Sequence, residues 1–223
     1  MSKRMVFPVL LGLVGVTILV LLGNWQVRRL AWKETMLANI EGHISAPAVQ
    51  LPTVLIPAND RFLSVMVTGM MEPAEIHVLS SGPSTGPGYR IISAFVIEDG
   101  RRILVDRGIV PVRDKNRDRE PDNGTLYGHL LWADDTDKYT PENDVEGNIW
   151  FSRAVAPLAE MLNTEEIFLV LSQTTLSDGP TPVPVGLNIP NKHLEYAVTW
   201  YGFAIVWLFM TLYLLWRIKR RTV

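Results

Sequence analysis

The chain is apolar at both ends and polar between them. No residue from Met5 to Trp25 carries a charge, and none from Tyr196 to Trp216. At 1.5 Å per residue each stretch makes a helix of roughly 31 Å, enough to cross a hydrocarbon core of about 30 Å. The pattern predicts one membrane helix over 5–25, a second over 194–216, and an extramembrane domain over 26–190. The first stretch exceeds the signal-peptide apolar region of about 7–15 residues, and no A-x-A site follows it. It runs instead into Asn24–Lys33, which reads as a helix leaving the bilayer, with Trp25 and Trp32 suited to an interfacial belt.

Between the spans the period changes from helical to alternating. Arg61–Met70, Glu75–Ser80, Tyr89–Ile97, Arg102–Arg107, Thr125–Trp132 and Glu166–Thr174 read as strands. Asp99-Gly100 predicts a tight hairpin turn, because Gly accepts a positive φ at no steric cost. Ser81–Gly88 reads as a Gly/Pro loop, and Arg113–Asp122, dense in both charges, as a solvated loop. Arg153–Asn163 is the one sizeable helix predicted, with Pro157 near its start. The Pro-rich stretch 178–190 reads as an extended, semi-rigid linker that holds the domain close to the membrane. The expected fold class is two transmembrane helices flanking a mostly antiparallel β (α+β) domain.

Two spans put both tails on one side. Lys3, Arg4, Arg217, Lys219, Arg220 and Arg221 in the tails outnumber Arg28, Arg29, Lys33 and Lys192 outside the spans. The positive-inside rule then places the termini in the cytoplasm. No Arg-rich, acid-poor transit peptide precedes the first span, so the expected setting is a bacterial inner membrane with a periplasmic domain.

Composition narrows the chemistry. A net charge of −2 offers no basic field for nucleic acid. The absence of Cys removes disulfides, thiolate metal sites, a cysteine nucleophile and covalent haem attachment through CxxCH. No nucleophile elbow, zinc-protease or phosphate-loop pattern occurs, so no enzymatic role is expected. His77 and His129 fall in predicted strands and read as ordinary sheet residues; His43, beside a Pro-containing loop, is unassigned.

His193 differs, because it stands just before the second span at the outer interface. On a helix Tyr196, Ala197, Trp200 and Ala204 share its face. At the matching depth the first helix carries Gln26, Arg29 and Lys33 on one stripe, overlapped by Trp25, Arg29 and Trp32. Packed together, the two helices would offer an imidazole for iron, aromatic walls for a macrocycle and cations for propionates. The same residue types also serve as plain interfacial anchors.

Three blocks carry a resemblance. They are Gly23–Lys33; Gly86-Pro87-Gly88-Tyr89-Arg90 through Asp99-Gly100-Arg101-Arg102-Ile103-Leu104-Val105-Asp106-Arg107-Gly108-Ile109-Val110-Pro111; and Asn191-Lys192-His193-Leu194-Glu195-Tyr196-Ala197-Val198-Thr199-Trp200-Tyr201-Gly202. Pro141–Asp144 followed by Trp150–Arg153 is a weaker fourth. In order and together they resemble the Surfeit locus protein one family, assembly factors for haem–copper terminal oxidases. The resemblance implies a role in maturing subunit I of cytochrome c oxidase while haem A is inserted, with haem A synthase as a further partner. It implies non-covalent haem A binding with His193 as the iron ligand; the helix faces read above place Tyr196, Trp200, Trp25, Gln26 and Arg29 around it. Two positions depart from the family pattern: Asp106 replaces the usual Asn before Arg-Gly, and Ile109 the usual Trp after it. Asp can still serve as a local acceptor, whereas a partner contact made by the Trp ring would be lost.

Three readings follow. The first is a haem-A-binding assembly factor. The second is a membrane-anchored scaffold that stabilises an oxidase intermediate without haem. The third is a tethered enzyme whose site forms only in the fold.

Overall fold

The computed structural model describes residues 3–82, 86–174, 179–186 and 190–221. The chain forms two compact units, one of Met1–Asn39 with Leu187–Val223 and one of Ile40–Gly186.

The first unit is a pair of helices, α1 (Lys3–Ser45, whose end belongs to the second unit) and α4 (His193–Arg221). Both are long and apolar enough to cross a membrane, with mean hydropathies of 2.8 and 1.7 in their most apolar windows. Phe7, Leu13, Phe209 and Met210 stand exposed, an apolar surface that suits hydrocarbon rather than water. The helices meet through small residues. A side chain at Gly23 would strike the Tyr201 ring, one at Gly15 the Trp207 ring, and one at Gly12 Thr211. Ala197 and Ala204 are buried in the same seam. Without a hydrophobic effect to drive association in lipid, such close backbone approach is what lets dispersion hold two helices together.

The second unit is built on a sheet. In chain order it holds β1 (Val49–Gln50), α2 (Pro57–Asp60), β2 (Ser64–Gly82), β3 (Gly86–Ile97), β4 (Arg102–Pro111), β5 (Asp122–Leu130), α3 (Val155–Leu162) and β6 (Phe168–Thr174). The pairings run β2-β3-β4-β6-β5 and return from β5 to β2, closing a five-stranded barrel. Within the barrel all pairs are antiparallel except β4 with β6, and β1 adds a short parallel edge to β2.

Alternation sorts the apolar side chains into two layers. Ile103 and Val105 on β4 and Leu169 and Leu171 on β6 pack with Val65, Val67, Phe95 and Leu126. Leu104, Phe168 and Val170 take the opposite face, beneath α3. The helix answers with Val155, Leu158, Ala159 and Leu162, the i, i+3, i+4, i+7 stripe of an amphipathic helix. Arg102 closes its C-terminus, donating to the carbonyls of Leu162 (3.0 Å) and Asn163 (2.9 Å).

Several expectations change. The strands expected at 61–70 and 75–80 are one strand, β2, with a register shift between Met71 and Glu75. Pro73 lies in that irregular stretch, where a missing N–H costs no ladder bond. The Gly/Pro loop at 81–88 is shortened from both sides, since β2 runs to Gly82 and β3 starts at Gly86; its centre, 83–85, lies outside the described residues. Residues 113–122 do not form a wholly solvated loop. Arg119 turns inward, its side chain 5% exposed, and its Nη1 lies 2.5 Å from Glu75 Oε1. Residues 178 and 187–189 of the Pro-rich linker lie outside the described residues; of the rest, Thr181 bridges to Ile109 by paired backbone hydrogen bonds.

Candidate functional site

His193 is the first residue of α4 and is half-buried. Its Nδ1 lies 2.8 Å from Oε1 of Gln26 on α1, a residue only 8% exposed. Gln26 continues the seam of Gly12, Gly15 and Gly23, and His193 the seam of Ala197, Tyr201 and Ala204. Around this contact Tyr201 donates its hydroxyl to Asn24 Oδ1 at 2.7 Å, and Lys33 Nζ donates to Pro190 O at 2.5 Å.

An amide oxygen only accepts, so the geometry puts the proton on Nδ1 of His193. Nε2 makes no hydrogen bond among the described residues. Two residues earlier, Asn191 Oδ1 is buried with no partner among them. A buried acceptor without a donor needs a water or a ligand to complete it. The donor set therefore fits a group that needs one imidazole and brings its other ligands with it, as haem does. No cluster of three His, Asp or Glu able to hold a bare ion occurs among the described residues.

Of the residues singled out in the sequence, the structure joins His193 to Gln26 and leaves the others outside that contact. Tyr196 (54% exposed) and Trp25 (55%) face outward. Trp200 is half-buried and meets Phe203 edge-on at 6.2 Å. Arg29 is exposed, its guanidinium 4.2 Å from the Trp32 ring centroid. The reason is rotational. The buried seam on α4 runs 193, 197, 201, 204, which leaves Tyr196 turned about 100° from Ala197. The missing partner, Tyr201, carries the i+8 spacing that would have shown it.

A second polar cluster lies in the β unit, partly on residues of the second and fourth sequence blocks. Arg90 Nη1 is 2.6 Å from Asp106 Oδ2, whose side chain is wholly buried, and Arg153 Nη1 stands at 3.9 Å. Asp106 Oδ1 accepts from the Gly108 amide at 3.1 Å, the local acceptor role expected of it. Glu75 Oε1 draws Arg119 Nη1 to 2.5 Å and His77 Nε2 to 2.7 Å, and Arg107 approaches Oε2 at 4.0 Å. His77 is thus part of a buried charge network rather than an ordinary sheet residue. His129 Nε2 lies 3.0 Å from the Ile44 carbonyl oxygen, so it too has a specific partner. At Asp106 the contacts bring Arg90 of the second sequence block and Arg153 of the fourth onto one carboxylate.

Comparison with known proteins agrees with the blocks. Residues 13–205 match the model of the SURF1 family. A SURF1-like protein of Rickettsia bellii is 31% identical over 223 residues, covering 95% of this chain and 90% of that protein. The Surfeit locus protein 1 of Homo sapiens is 31% identical over 209 residues, covering 82% of this chain and 69% of the human one. The SURF1-like protein of Rickettsia prowazekii is 31% identical over 200 residues, covering 84% and 81%.

Proposed function

Because this chain belongs to the SURF1 family, which is associated with cytochrome c oxidase assembly, we propose that it is a membrane-anchored, non-enzymatic assembly factor. In this reading it binds haem A at the outer membrane interface and aids its insertion into subunit I of the oxidase. His193 ligates the iron through Nε2, and haem A synthase hands on the cargo. The termini are cytoplasmic and the β unit is periplasmic. The observation that carries the proposal is the His193–Gln26 contact at 2.8 Å, which occupies one ring nitrogen and leaves the other without a protein partner among the described residues. The orphaned Asn191 oxygen nearby supports it.

The test is an absorption spectrum of full-length protein purified in detergent from cells with and without the haem A biosynthesis enzymes, beside His193→Ala. The expected result is a haem A spectrum that depends on those enzymes and disappears in the variant. A colourless wild type that still co-purifies with subunit I would replace this reading with that of a scaffold, and would reduce His193 to an interfacial anchor.

A further inference from the structure

Gln26 is an expensive residue to place where it is. It is 8% exposed and lies in the seam between two helices long and apolar enough to cross a membrane. A buried amide that lacks partners is destabilising, and a Leu of similar size would pack there without that cost. Its oxygen is spent on a single atom, His193 Nδ1, at 2.8 Å.

We infer that Gln26 is a positioning residue that acts through His193. By accepting from Nδ1–H it selects one tautomer and holds the ring's rotation, so that the Nε2 lone pair is the atom presented to an incoming iron. The two ring nitrogens are not equivalent, and the one free to bind a metal is decided by the hydrogen bond the other makes. Free imidazole in water has no such restriction, so without Gln26 both tautomers and several ring orientations compete. The helix bearing Gln26 lies at the opposite end of the chain from the one bearing His193. The ligand is therefore correctly set only when both helices have been made and have packed. Gly23 and Ala197, the small residues one turn away on each helix, bring the backbones close enough for the short Gln side chain to reach.

This inference rests on the haem reading for its purpose but not for its test. The first readout is the nitrogen-15 NMR spectrum of histidine-labelled protein without haem, in detergent at neutral pH. The expected result is His193 protonated at Nδ1 in the wild type, and a shift toward the Nε2–H tautomer in Gln26→Leu. Gln26→Glu, whose carboxylate can also accept, restores Nδ1–H. The second readout is haem A titration, where Gln26→Leu is expected to weaken binding about 10–100-fold, with Gln26→Glu recovering most of the loss. An Nε2–H tautomer in the wild type, or a tautomer unchanged in Gln26→Leu, overturns the role of Gln26 even if haem binds. A wild type that takes up no haem, yet shows the Gln26-dependent tautomer, overturns the haem reading and leaves the positioning intact.

Discussion

Arg90 on β3 and Asp106 on β4 meet at 2.6 Å with the carboxylate side chain shut away from solvent. Taking a carboxylate out of water is costly, and the Arg90 guanidinium, the more distant Arg153 and the Gly108 amide offset it here. Removing Arg90 leaves the buried carboxylate with only the longer Arg153 contact and the Gly108 amide. Arg90→Met is expected to destabilise the β unit by about 3–5 kcal/mol. Asp106→Asn keeps the oxygen that accepts from Gly108 and should cost clearly less. Thermal unfolding of the full chain in detergent, followed by circular dichroism, checks the order of the two variants. Equal losses would mean that Arg90 without its carboxylate costs as much as the carboxylate without Arg90.

Gly108 sits at φ +113°, and a side chain there would run into the Thr181 carbonyl oxygen. Gly100, at φ +90° in the β3–β4 turn, has open space around it. The pair separates two effects. Gly100→Ala is expected to cost about 1–2 kcal/mol from backbone conformation alone. Gly108→Ala adds a steric penalty of about 1–3 kcal/mol. It should also detach the 179–182 segment, which an increase in amide exchange at Ile109 and Thr181 would report.

Asp99, exposed, and Arg101, half-buried, stand at the end of the β3–β4 hairpin. The Arg101 side-chain and backbone hydrogen bonds hold the Asp99 carboxyl below its ordinary value of 3.8. A carboxyl whose pKa is depressed by folding stabilises the fold fully above its unfolded pKa. That contribution is lost as pH falls through the lower folded value. Carbon-13 NMR should find Asp99 titrating below 3.8 in the wild type. Arg101→Ala should move it back up and remove this part of the acid dependence.

The absence of native Cys makes the helix seam easy to probe. Asn24 and Tyr201 are joined by a 2.7 Å hydrogen bond made at the tip of the Tyr ring, so Asn24→Cys with Tyr201→Cys is expected to cross-link in detergent through a bifunctional thiol reagent that spans the lost ring. Adding Gly15→Leu drives a side chain into the Trp207 ring, which this double variant retains, and should reduce the yield severalfold. Cross-linking unchanged by Gly15→Leu would show that Gly15 does not set the helix separation.

Much of the architecture was legible in the residues because burial imposes a period. The two charge-free stretches, the Asp99-Gly100 hairpin and the strand alternation across Arg102–Arg107 all follow from which faces must avoid water. What escaped depends on long-range closure. Nothing local in Glu75 or Arg119 says that they meet, because their positions are set by the β2 irregularity near Pro73 and by a loop that folds back onto the sheet. At the helix pair, spacing picked out His193 and Gln26, yet it also favoured Tyr196. Only the actual rotation of the packed seam, fixed by Gly23 and Ala197, selects Tyr201 instead.

The closed circuit of strands has a consequence for the order in which this protein can mature. The edge of β2 that β5 covers is made early, but β5 begins only at Asp122, and the last gap closes only with β6, which ends at Thr174. During synthesis that edge waits unpaired while the intervening chain emerges, and such an edge is a template for unwanted pairing. The non-local pairing also makes folding slow compared with helix formation. The long helices and the β unit thus mature on different clocks, with α1 able to form well before the barrel can shut. A chain stopped short of Phe168 would yield an open, edge-exposed sheet and not a smaller version of the same barrel.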